Sequence, residues 1–218
     1  MPEILPAWPL LAAFMLASVA LAVTPGPAVV YIVTRTLAQG RRAGLASVGA
    51  VALGNLGNAI GASLGLAVLF SVSALAFTVV KYAGAVYLIW LGLRTLRAKP
   101  AVAENGEPVA PPARSLRQVM CDGFVVALLN PKTAIFFAAF LPQFMSPGGS
   151  ALVQSLALGA AFVLIAATTD VCYVTAAAAV MPRLRRAGRA RAMGRYLTAV
   201  AFIGLGVFTA TSGSRAAK

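Results

Sequence analysis

Thr24-Pro25-Gly26-Pro27 and Asn130-Pro131-Lys132 stand 106 residues apart, each inside an otherwise apolar stretch of chain. Thr and Asn are good helix N-caps, and in both strings a proline follows at the first helical position, where its missing N–H is no loss. The residue before a proline is also pushed out of the α region. Each string therefore predicts a break followed by a new half-helix, whose tip carries free N–H groups and a partial positive charge of about +0.5. Two plain proline kinks would use the same residues. A break that recurs at matching positions with capping residues is instead the sequence sign of a transporter that binds its solute where two repeats meet.

The surroundings of both strings are those of a membrane protein. Over 218 residues the chain is 60% hydrophobic and 11% charged, against roughly 25% charged residues in soluble domains, and its mean hydropathy is +0.87. No charge interrupts residues 4–34 or 43–80, and about 20 apolar residues suffice to cross a hydrocarbon core of about 30 Å. Strict alternation is missing and Leu, Ala and Gly dominate, so helices rather than a barrel must satisfy the backbone. Ala20-Leu21-Ala22 mimics a signal-peptide cleavage site, but the segment before it holds Glu3 and no Lys or Arg, which argues for a retained first span.

Hydropathy and breakers predict an all-α integral membrane protein with six spans, at 9–34, 44–70, 74–96, 119–141, 152–180 and 196–211, the first and fourth broken at the proline strings. The net charge of +13 is carried between spans: 14 of the 18 Lys and Arg lie in the first, third and fifth connections and none in the second and fourth. That asymmetry predicts odd connections in the cytoplasm and both termini outside. No aromatic residues interleave the basic runs and no nucleic-acid motif is present, which sets nucleic acid aside in favour of anionic lipid head groups. Residues 98–115, AKPAVAENGEPVAPPARS, lack apolar periodicity and predict a linker. The expected division is a three-helix repeat at 1–97, a cytoplasmic linker at 98–116 and a second repeat at 117–218.

With three spans each, the halves enter the membrane from opposite sides, as an inverted repeat. Their likeness extends beyond the breaks. Lys81-Tyr82 followed by Leu91-Gly92-Leu93 in the third span matches Arg195-Tyr196 followed by Leu205-Gly206-Val207 in the sixth, at an offset of 114 residues.

The half-helix tips predict a site for a carboxylate, formed by Thr24, Pro25, Gly26 and Pro27 with Asn130, Pro131 and Lys132. Lys132 and Asp170 are ionisable residues deep in apolar spans, and such charge is expensive enough to mark function. They are expected to pair, to hold a zwitterionic solute, or in Asp170 to carry a coupling proton; a purely structural ion pair is the plainer reading. Lys81 is expected nearer the outer interface, where it can snorkel. Asn55 and Asn58 share a helix face and can offer amides to a ligand or act as interhelical glue. Gly57, Gly61 and Gly65 predict a smooth packing face. There is no His, and Cys121 and Cys172 are the only cysteines, so no metal or cofactor is expected. No phosphate-binding Gly-rich loop and no Ser or Cys nucleophile with a His base is present; ATP hydrolysis and enzyme catalysis are not expected.

Thr24 through Gly44, Lys81 through Arg97 (KYAGAVYLIWLGLRTLR) and Gly123 through Phe144 (GFVVALLNPKTAIFFAAFLPQF) resemble the LysE/RhtB amino acid exporters of the lysine exporter superfamily. The resemblance covers most of the chain and weakens over the last 40 residues. It implies six transmembrane helices and proton-driven export of amino acids or close derivatives across the bacterial inner membrane, with a homodimer as the assembly often attributed to such proteins. Family members often carry a polar residue, commonly Asn, after TPGP, whereas this chain has Ala28. Two other readings remain: a thiol/disulfide carrier like the CcdA/DsbD proteins of the wider superfamily, and a passive small-solute channel.

Overall fold

The computed structural model describes residues 5–66, 74–97, 101–102, 108–109, 114–146, 149–186 and 190–211. The turn expected at 71–73, most of the linker, and the side chains of the fifth, basic connection lie outside the described residues. Helices α1 (Trp8–Val23) and α2 (Pro27–Gln39) meet at TPGP with a bend of 48°. Gly40, whose φ of 89° lies in the left-handed region open to glycine, turns the chain into α3 (Arg41–Gly61), which ends in a π turn at Ala62–Leu66. Helix α4 is Ala74–Arg97. Two short strands, Ala101–Val102 and Pro108–Val109, pair antiparallel within the stretch expected to be a plain linker.

The second half repeats the break. Helices α5 (Leu116–Leu128) and α6 (Pro131–Ile135) meet at NPK with a bend of 41°, and α6 runs on through π and 3₁₀ turns to Phe144. The last two helices are α7 (Ala151–Arg186) and α8 (Ala190–Thr211). By length and apolarity α3 and α7 can each cross a membrane and each bent pair can count as one more span, so the described residues give two to four, against the six that hydropathy predicts. Large apolar side chains lie exposed along one face of α4 at Leu75, Val79, Tyr82, Val86, Trp90 and Leu93. A stripe of that length on a water-soluble protein would be a liability; against lipid it is the expected surface.

Three apolar clusters hold the helices together. Phe14, Ala59, Phe137, Leu158 and Phe162 join α1, α3, the turns after α6, and α7. Ala28, Ile32, Val51, Ala127 and Val174 join α2, α3, α5 and α7. Tyr31, Leu88, Leu91, Val126 and Phe202 join α2 to α4, α5 and α8. Helix α3 comes closest to α5 through Gly54, where an added Cβ would lie 2.6 Å from Ala127 Cβ and 2.7 Å from Phe124 O, with Gly57 facing Leu128. The close-packing face thus starts one turn earlier than the glycine spacing suggests. Lys81, expected to snorkel, is buried, with its ammonium 5.2 Å from the Tyr82 ring centre.

Helices α4 and α8 cross in a reciprocal contact. A Cβ on Gly92 would meet Ile203 Cγ1 at 2.6 Å and Ala199 O at 2.9 Å, while one on Gly206 would meet Ile89 Cγ1 at 2.6 Å and Ala85 O at 2.8 Å. Residues 85, 89 and 92 correspond to 199, 203 and 206 at the offset of 114 read from the sequence. Late α4 meets early α8 and late α8 meets early α4, so the helices run antiparallel. Because backbone carbonyls stand in the way, Gly92→Val and Gly206→Val should each destabilise the protein by about 1–3 kcal/mol. Gly204, whose Cβ would meet nothing within 4 Å, is the control: thermal unfolding in detergent should show a drop for the first two and none for Gly204→Val.

Candidate functional site

The first break begins with the double proline. Because Pro27 keeps Gly26 out of the α region, the new helix cannot start at Pro25, and Gly26 sits extended at φ −144° and ψ −172° as the residue before α2. Thr24 is therefore the C-cap of α1 rather than an N-cap, and its hydroxyl donates to Ala20 O at 2.7 Å. Carbonyls at a helix end lack partners in their own helix and carry the negative end of its dipole. Here the other half of the chain supplies partners for Val23 O and Thr24 O and a second donor to Leu21 O, which already accepts from the Thr24 N–H at 3.2 Å. Lys132 Nζ donates to Leu21 O at 2.6 Å and also to Thr24 O, and the Tyr173 hydroxyl of α7 donates to Val23 O at 2.7 Å.

The second break follows the sequence reading. Asn130 is the N-cap of α6, its side-chain oxygen accepting from the Lys132 N–H at 3.1 Å, with Pro131 at the first helical position. Asn58 of α3 donates to Ala127 O at 2.9 Å, so it ties down the end of α5 and acts as glue. Each broken helix is thus held at its C-terminal side by a polar side chain from the opposite half.

Between the breaks lies a small, partly open cleft to which both halves of the chain contribute. Gly26, Asn55, Asn130, Lys132 and Asp170 line it together, as does Thr133. Thr24, Pro25, Pro27, Asn58 and Pro131 do not line it. Val51, Phe162 and Ala166 supply an apolar side.

Two acceptors face this space unmet. Asn55 is 4% exposed and its Oδ1 has no hydrogen-bond partner. Asp170 is 5% exposed, and among the described residues it forms no ion pair, with Lys132 or any other cation. Leaving buried acceptors unpaired is unfavourable by about 1–3 kcal/mol each, more for a charged group. An ammonium, with three donors and no acceptor, is the group that relieves both. Across the cleft, α2 begins with no side-chain cap, and Ala28 and Val29 of its first turn line the space. Its open amides and dipole suit a carboxylate.

Sequence reasoning passes over Thr133, Val51 and Phe162, whose only signal is helical spacing from residues already marked, and it passes over Asp122. That residue is one of five acidic side chains in the chain and falls inside a predicted span, which was signal enough. Cys121 and Cys172 are free and exposed, and among the described residues no group of three or more His, Cys, Asp or Glu converges.

Comparison with known proteins gives a consistent set. Residues 19–213 match the profile of the LysE type translocators. The chain is 33% identical over 165 residues to a homoserine/homoserine lactone efflux protein of Salmonella typhimurium, covering 76% of this chain and 79% of that protein. It is 28% identical over 166 residues to a leucine efflux protein of Klebsiella pneumoniae, covering 74% of each. A Vibrio cholerae protein described as an uncharacterized membrane protein is 31% identical over 201 residues, covering 92% of this chain and 96% of that one. No solved structure matches the chain at a significant level. The chain belongs to the LysE type translocator family.

Proposed function

We propose that this protein is a proton-coupled secondary exporter of neutral amino acids in the bacterial inner membrane, working by alternating access between two inverted three-helix repeats. The observation that carries this reading is the cleft between the two breaks, where unpaired acceptors face an uncapped helix tip. Asp170 and Asn55 Oδ1 hold the α-ammonium, and the first amides of α2 with Thr133 of α6 receive the carboxylate. Val51, Phe162 and Ala166 take an uncharged side chain, since no second carboxylate lines the cleft for a basic one. The relatives named for homoserine and leucine efflux agree with that class. Lys132 lines the cleft, but its ammonium is committed to the α1 carbonyls and acts on the carboxylate only as a nearby charge.

Coupling follows from shared occupancy. Asp170 is neutralised either by a proton or by the substrate ammonium, so one leaves as the other arrives. The reciprocal α4–α8 contact, the matching bends and the crossed helix-end ties support six spans arranged as an inverted repeat. A homodimer would carry two clefts, each formed within one chain.

The substrate reading is tested by competition. Leucine should inhibit labelled-leucine efflux, and 3-methylbutylamine, which lacks only the carboxylate, should do so roughly tenfold to hundredfold more weakly, the effect of losing one charge-assisted hydrogen bond. Equal potency would show that the helix tip holds no carboxylate. The orientation is tested by cysteines placed at Ala103 and Ala187 in a Cys121→Ser/Cys172→Ser background. That background should export at the wild-type rate, as a thiol carrier would not. Both new cysteines should resist an impermeant thiol reagent in intact cells; labelling of both from outside would reverse the topology.

A further inference from the structure

About 12 Å along α2 from Pro27, at 1.5 Å rise per residue, a second charged cluster surrounds Asp122 of α5. Asp122 is 6% exposed and faces three guanidinium groups. Arg114, just before α5, donates to its Oδ2; Arg35 of α2 has Nη2 3.6 Å from the same oxygen; Arg94 of α4 has Nη1 3.9 Å from Oδ1. The Tyr87 hydroxyl donates to Oδ1 at 3.2 Å. Three cations thus share one carboxylate among the described residues. Arg35 shows the imbalance most plainly, being 6% exposed with both Nε and Nη2 lacking a hydrogen-bond partner. Its guanidinium lies 5.1 Å over the Tyr31 ring and within ion-pair range of Asp122, but buried donors left without a hydrogen bond remain unfavourable. The Arg114 guanidinium is pushed below its ordinary value by burial first and by the like charge of Arg35, with Asp122 pulling the other way.

Among the described residues the cluster is open on one side. Arg94 has a side chain 38% exposed and lies 5.0 Å over the ring of Trp90, which belongs to the exposed apolar face of α4. We propose that Arg94 and Arg114 form a binding site for a phosphate oxyanion at the membrane interface. Guanidinium forks match phosphate oxygens in pairs. An oxyanion accepting from Arg114 releases Asp122 Oδ2 to close the 3.6 Å gap to Arg35, so three cations no longer share one anion. An anionic lipid head group and inorganic phosphate present the same chemistry, and the exposed Trp90 beneath Arg94 favours the lipid, because Trp settles at head-group depth.

The test uses the full-length protein in detergent, with thermal unfolding followed during titration by phosphatidylglycerol, phosphatidylcholine or inorganic phosphate. Phosphatidylglycerol should stabilise the wild type more than phosphatidylcholine, and Arg94→Gln and Arg114→Gln should each weaken that binding at least tenfold. Asp122→Asn should act in the opposite sense: less stable in phosphatidylcholine, yet rescued by phosphatidylglycerol and binding it more tightly, since the competing carboxylate is gone. Rescue by phosphatidylglycerol alone assigns the site to lipid, and equal rescue by inorganic phosphate assigns it to the free anion. A loss in Asp122→Asn that neither restores, or phosphatidylglycerol binding unchanged by both arginine substitutions, would reduce the cluster to a structural ion network.

Discussion

Asp170→Asn should leave the protein folded in the membrane and abolish export driven by a pH gradient. The substitution keeps the side chain's shape in a position 5% exposed, and it removes no hydrogen bond or ion pair among the described residues, so stability has little to lose. Function has much more. On the proposed mechanism the amide cannot exchange a proton and gives up the charge-assisted contact to the substrate ammonium, a loss of about 1.5–3 kcal/mol or roughly tenfold to hundredfold in affinity. Labelled-leucine efflux from proteoliposomes under an imposed pH gradient reads both effects. Asp170→Glu, which retains charge and titration at a longer reach, should keep part of the coupled flux. Wild-type efflux with unchanged pH dependence in Asp170→Asn would remove this residue from the coupling step.

Lys132→Met is the second large effect, and it acts through shape. Its ammonium donates to Leu21 O and Thr24 O at the end of α1, where the carbonyls carry the negative end of the helix dipole. Two charge-assisted hydrogen bonds contribute about 3–6 kcal/mol by the same scale, so the variant should be markedly less heat-stable and export at least about a hundredfold more slowly. Lys132→Arg should recover part of both. Spin labels at Leu16 and Ala38 report the 48° bend between α1 and α2; the distance between them should broaden in Lys132→Met. A narrow, unchanged distance with normal export would mean that the break holds itself without the tie.

The two breaks were legible because proline leaves few options for the backbone, and Asn130 followed its capping rule without change. Thr24 did not, because Pro27 governs Gly26 and moves the helix start by two residues. The restriction on a residue before proline falls on both Thr24 and Gly26, and the helix start depends on the two prolines together. Asp170 was marked by the expense of charge in an apolar span and Asn55 by the helix face it shares with Asn58, and both line the cleft. Lys132 was marked for the same reason, yet its main partners are carbonyls 111 and 108 residues away, and no local pattern announces a bond to a distant backbone. Asn58 likewise spends its amide on Ala127 O. The Asp122 cluster draws on α2, α4, α5 and Arg114 ahead of α5, and a convergence of four segments follows only from the packed helices.

The Gly92 and Gly206 contact has a consequence for ancestry. A surface on which one residue meets a second, and the second's counterpart meets the first's, is the surface two identical chains make across a twofold axis. On the inverted-repeat reading proposed above, a half-length ancestor able to insert in either orientation would have formed this contact with an upside-down copy of itself before any gene fusion joined them. Fusion would then have released the two copies from having to be the same. On that history the fit between Gly92 and Gly206 is what two equal halves kept, and TPGP on one side and NPK on the other are where they drifted toward separate duties.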